Sequence, residues 1–143
     1  MRPALAALWL SLAIPGLSHA ERVTIDCPRT VTLNETVTAS YPGWESMIDK
    51  GNVAYALETM RVYSGHPSRM ANLIPSKLAR IKGLRITSWQ LPPDVDGYWV
   101  TCAYQNAMTV LVKPLPATIQ SCRLAEKTMP SGALAGIDSF ICE

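Results

Sequence analysis

The chain has 143 residues, 13 of them basic and 11 acidic, and 48% are hydrophobic. A net charge of +2 with dispersed basic residues lacks the clustered stripe expected of a nucleic-acid binder; the nearest approach, Lys77, Arg80, Lys82 and Arg85 among Leu78, Ile81 and Leu84, reads as a solvated face. Four cysteines without a C-x-x-C pair, two histidines and no Gly-rich phosphate loop give no reason to expect a metal or a cofactor.

Residues 1–20 read as an export leader. Arg2 supplies the positive start, Ala4 to Leu17 an apolar run broken at Pro15-Gly16, and Ser18-His19-Ala20 the small residues that place cleavage between Ala20 and Glu21. The run is shorter than the roughly 20 residues a membrane span needs. No later stretch approaches that length, so no membrane insertion is expected once the leader is removed. Ile25-Asp26 before Cys27 do not fit a lipid-attachment site. Residues 21–143 then suffice for a single exported domain with one modest core. Without Arg2 it carries one basic residue fewer against the same acidic set, so the sequence pI of 8.4 overstates its basicity.

Arg22 to Cys27 alternates polar and apolar, with Val23, Ile25 and Cys27 on one side, and predicts a half-buried strand closed by Pro28. Thr30 to Ala39 is rich in β-branched residues and predicts a second extended piece; the Asn34-Glu35-Thr36 sequon within it reads as accidental. Tyr41 to Trp44 is a turn with a large anchor. Val53–Leu57 fits a helical turn, but by 56–63 the alternation is strand-like, with Met60 and Val62 facing one way. Ser64-Gly65-His66-Pro67 stops that strand. Ser68 to Pro75 connects, with Met70, Leu73 and Ile74 as apolar anchors, and Lys77–Lys82 fits a helical turn or a loop.

Leu84 to Leu91 predicts the next strand, with Leu84, Ile86 and Trp89 inward and Pro92-Pro93 ending it. Tyr98 to Tyr104 follows the turn at Asp94 to Gly97. Tyr98, Val100, Cys102 and Tyr104 share one face and Trp99, Thr101 and Ala103 the other. Asn106 tolerates positive φ and suits a hairpin turn. Met108 to Val112 returns, Thr118 to Ala125 forms another strand with Ile119 and Leu124 as core candidates, and Ile137 to Cys142 is the last. About seven strands without a convincing helix predict an all-β fold: a small, mainly antiparallel sheet, sandwich or partly open barrel, held by two disulfides.

Cys27, Cys102, Cys122 and Cys142 form an even set in a short exported chain, which argues for disulfides. Four cysteines allow three connectivities, and the sequence alone does not select one. Strand geometry favours Cys122–Cys142 across a hairpin and Cys27–Cys102 between the first strand and the central one. Both pairs together leave no thiol for catalysis. His66 is the one histidine after the leader, and Ser64 and Ser68 beside it sit in no nucleophile-elbow pattern. Asp94 and Asp96 fit turn hydrogen bonding better than a pair of carboxylates set across a cleft. The residues therefore point away from an enzyme. Trp44, Trp89 and Trp99 all read first as core plugs; Trp99, opposite the Cys102 face, becomes a binding anchor wherever that face is exposed. The loop Gly65 to Arg69 offers a rigid turn with a positive tip. His66, Ser68, Arg69 and Trp99 are thus the candidate partner-binding residues.

Cys27-Pro28, Gly43-Trp44, Tyr63-x-Gly65-x-Pro67, Leu73-x-Pro75, Trp89-x-Leu91, Trp99-x-x-Cys102-x-Tyr104, Leu115-Pro116, Cys122 and Cys142 together resemble a family of small exported proteobacterial four-cysteine proteins. Some of its members are similar to periplasmic immunity proteins of type VI secretion systems that neutralise cell-wall-attacking effectors. The resemblance implies a protein partner, an exported cell-wall enzyme whose active site the chain would occlude, and brings no catalytic residues. The alternative reading is a non-enzymatic adaptor or structural protein of the cell envelope.

Overall fold

A computed structural model describes residues 21–33, 42–43 and 54–143. The expected leader at 1–20, the Asn34 sequon, Trp44 and Val53 lie outside the described residues. In chain order the strands are β1 (Val23–Thr24), β2 (Thr30–Thr32), β3 (Ala54–Ser64), β4 (Lys77–Ile81), β5 (Leu84–Gln90), β6 (Tyr98–Tyr104), β7 (Val110–Pro114), β8 (Ser121–Thr128) and β9 (Leu134–Cys142), with a 3₁₀ turn at Pro67–Arg69. They form a five-stranded sheet ordered β1-β9-β8-β5-β4 and a four-stranded sheet ordered β2-β3-β6-β7. Every pairing between named strands is antiparallel. The fold is all-β, as its alternating apolar pattern requires.

The two sheets share one core. Met60 and Val62 of β3 and Val100 of β6 meet Trp89 of β5, Leu124 of β8 and Phe140 of β9, all of them buried. Ile25, just past β1, closes the core after its N–H bonds the Phe140 carbonyl. Strand β6 is buried on both faces from Val100 to Tyr104. Cys102 is bonded to Cys27, so the segment after β1, paired to the five-stranded sheet, is tied to the centre of the other sheet. Cys122 and Cys142 are direct cross-strand partners on β8 and β9 with Cα atoms 4.1 Å apart, and their disulfide is fully inside.

Three local expectations change. Residues 54–57 belong to β3 rather than to a helical turn, because Thr30–Thr32 pair with them. The described strands number nine rather than about seven, β2 lying within the extended piece expected at Thr30 to Ala39, and Lys77–Ile81 is a strand rather than a helical turn or loop. Its hairpin to β5 is closed by Lys82 and Gly83, both at positive φ, which is the two-residue geometry that matches strand twist. Lysine at such a position is unusual, so the turn is hard to read from sequence.

The third change is the face of β5. Trp89 is buried and its indole N–H donates to the Leu73 carbonyl at 3.2 Å. Strand alternation then places Arg85 and Thr87 on that same core face and Leu84 and Ile86 on the other. The core tolerates Arg85 because Glu126, directly across on β8 and 1% exposed, receives it: Nε and Nη2 each lie 2.8 Å from Oε2. Glu126 Oε1 has no hydrogen-bond partner.

Candidate functional site

At one end of the sandwich, the connection from β3 to β4 meets the turn from β5 to β6. Gly65 opens the first with φ +67, and its N–H bonds the Gly97 carbonyl at 2.7 Å. A Cβ at this position would lie 3.3 Å from Asp96 Cβ, so the close approach and the positive φ both select glycine. His66 then takes extended backbone and Pro67 starts the 3₁₀ turn, where its fixed φ fits. The Arg69 N–H bonds the His66 carbonyl and the Met70 N–H that of Pro67. Met70 ends the turn in the left-handed region with its side chain 84% exposed.

The four residues singled out from sequence come together here. The His66 ring lies edge-on to Trp99, with centroids 4.7 Å apart. The Ser68 N–H donates to His66 Nδ1, and the Ser68 hydroxyl lies 2.8 Å from the same nitrogen. Nδ1 is thus an acceptor, which leaves Nε2 as the protonated nitrogen of the neutral ring. Arg69 forms an ion pair with Asp96 at 3.0 Å, both side chains being at least half exposed. The contact between Ser68 and His66 is nucleophile-to-base in form, but the third group that would orient the base is engaged elsewhere. Asp96 pairs with Arg69, and Asp94 accepts from the Ser64 hydroxyl at 2.6 Å. The arrangement locks a turn and presents an imidazole and a guanidinium to solvent beside the half-buried Trp99.

Asp94 holds the second half of the site. Its carboxylate also accepts from the Asp96 N–H, and its carbonyl from the Gly97 N–H. The Ser64 hydroxyl first and the Asp96 N–H second lower its pKa from 3.8. A depressed folded-state pKa means that this anchoring is complete above 3.8 and is lost as pH falls through the folded value. Following the Asp96 amide by NMR during acid titration should give a midpoint below 3.8, and Asp94→Asn should remove the transition.

Beside the loop, Leu91, Pro92, Pro93, Asp94, Tyr98 and Ile119 line part of an open groove of about 520 Å³. The Tyr98 hydroxyl donates to the Pro92 carbonyl at 2.6 Å and so fixes the rim. Burial, and next the charge of Asp94, push that hydroxyl's pKa up, which keeps it a donor. Sequence reasoning found the loop but missed the groove and the partnership of Asp96 with Arg69. The Asp94-x-Asp96-Gly97 spacing signals a turn, yet it does not say which cation the turn meets. Among the described residues no cluster of His, Cys, Asp or Glu is arranged to hold a metal.

Residues 50–143, the greater part of the chain, match the family model described as type VI secretion system Tli immunity protein. An uncharacterized 16.3 kDa protein in the trpG 5' region of Azospirillum brasilense is 27% identical over 148 residues. That alignment covers 96% of this chain and 95% of the relative. No solved structure matches.

Proposed function

Since the chain belongs to the type VI secretion system Tli immunity protein family, we propose that it binds an effector enzyme in the periplasm and neutralises it by occluding the active site. The finer reading of the target is a peptidoglycan-attacking enzyme, the class implied by the four-cysteine resemblance. The leader at 1–20 would deliver the chain there, and its two disulfides fit an oxidising compartment.

The observation that carries this reading is the pinned loop His66 to Arg69 beside Trp99. The loop is held at both ends by backbone bonds and at its last residue by the ion pair of Arg69 with Asp96. Its ordering is complete before a partner arrives, so little conformational entropy is lost on docking. Aromatic and arginine side chains are also the residue types that dominate binding energy at protein interfaces.

The test is periplasmic co-expression with the effector encoded by a neighbouring gene, followed by affinity capture. The wild type should restore growth and retain the effector. Arg69→Glu should abolish protection and weaken the complex by about 2 kcal/mol, roughly 30-fold, at an unchanged melting temperature. The double variant Arg69→Glu/Asp96→Arg rebuilds the ion pair within the loop. Continued loss of protection would assign Arg69 to the partner contact, whereas recovery would make it only a brace for the loop. Absence of rescue by the wild type would sink the immunity reading and favour the envelope adaptor.

A further inference from the structure

Strand β4 is a margin of the five-stranded sheet, where it pairs with β5 alone among the described strands. Among the described residues its other side therefore presents a row of backbone N–H and C=O groups, the template to which another extended chain can add. Cations and hydrophobic residues mix along Lys77-Leu78-Ala79-Arg80-Ile81-Lys82. Charge on a margin ordinarily repels unwanted pairing. That role does not require large exposed hydrophobics, yet Leu78 is 68% and Ile81 56% exposed.

The charges are also unbalanced in a specific way. Arg80 stands directly across from Arg85, a like-charge pairing that costs sheet stability. Glu126 answers Arg85, but among the described residues no acidic side chain pairs with Arg80, Lys77 or Lys82. Leu78, Ala79, Arg80 and Arg85 line an open recess of about 350 Å³. Each face of the strand thus offers one cation and one hydrophobe: Arg80 with Leu78, and Lys77 with Ile81. Sites where a chain keeps such an unanswered conflict are candidates for function.

We propose that the β4 margin receives an extended acidic segment of the effector, added antiparallel as a further strand. Carboxylates of that segment would lie across from Lys77 and Arg80, and apolar side chains across from Leu78 and Ile81. The identity of the donor rests on the immunity function proposed above; the chemistry of the margin does not. The contact is separate from the Arg69 loop and adds a second point of attachment.

The probe is a nine-residue peptide of three Thr-Val-Glu repeats, with three Thr-Val-Lys repeats as control, each titrated into the full chain. The acidic peptide should bind at least roughly tenfold more tightly. It should also slow hydrogen exchange at residues 77–82. Lys77→Glu/Arg80→Glu should reverse the preference at an equal or higher melting temperature, because the change at 80 removes the repulsion with Arg85. The same double variant should retain less effector than the wild type. Equal binding of both peptides, or protection confined to another strand, would overturn the proposal. So would an oligodeoxynucleotide of matched charge that protects 77–82 equally, since the site would then select any polyanion. Undiminished effector capture by the double variant would overturn the donor assignment while leaving the immunity reading intact. Failure of the immunity reading has its own sign, which is lack of protection by the wild type.

Discussion

Reduction of both disulfides should lower the melting temperature by roughly 30 °C, enough to leave the chain largely unfolded at 37 °C. The bridges Cys27–Cys102 and Cys122–Cys142 span 75 and 20 residues and close loops that do not overlap. On the chain-entropy relation they restrict the unfolded state by ~4.5 and ~3.3 kcal/mol. Their total compares with the ~5–15 kcal/mol that holds a whole domain together. Cys27→Ala/Cys102→Ala should be the more damaging pair change, because it also frees the segment after β1 from the opposite sheet. Thermal melts with and without a phosphine reductant check the first statement, where coincident curves would refute it, and melts of Cys27→Ala/Cys102→Ala against Cys122→Ala/Cys142→Ala check the second.

The second large effect is expected at Arg85. Arg85→Met would leave the Glu126 carboxylate buried with no partner for either oxygen, since Oε1 already has none. Removing one member of a buried ion pair costs about 3–5 kcal/mol. The low end applies here because the Arg85 side chain is 38% exposed and water can take part of its place. Arg85→Met/Glu126→Met should recover most of the loss, because two apolar groups need no mutual pairing. Urea unfolding of the single and double variants measures the difference. Equal stabilities would show that the pair contributes only as surface charge does.

The same pair explains which parts of the fold could be read from the residues. Strand β3 follows a period-two pattern whose buried members, Met60 and Val62, are the apolar ones. By contrast, β6 and the middle of β8 are buried on both faces, and there the expected core residues Val100 and Leu124 are joined by Thr101 and Glu126. On β5 the pattern misleads. Leu84 and Ile86 look like the inward pair, but Trp89 is out of phase with them, and the largest side chain decides the face. The cost is a buried arginine contact that Glu126, 41 residues away, offsets. Long-range compensation of this kind leaves no local trace.

Strand β4 is obscured for a related reason. An edge strand buries little on either face, so its alternation of charge and hydrophobe resembles a solvated turn. At the candidate site, Gly65, His66 and Pro67 mark a rigid loop by their own conformational limits. The proximity of His66 to Trp99 and of Arg69 to Asp96 depends on β3 and β6 pairing in register, with Tyr63 opposite Trp99 and Ser64 opposite Tyr98. Such a register is fixed by the sheet as a whole and cannot be inferred from the loop.

The long span between Cys27 and Cys102 also bears on survival among proteases. A single backbone cut anywhere inside that span leaves both pieces covalently joined through the bridge. Each piece keeps strands that belong to the same sheets: for a cut between β2 and β3, β1 and β2 on one side and β3 to β9 on the other. Separation of the two pieces therefore requires reduction as well as cleavage.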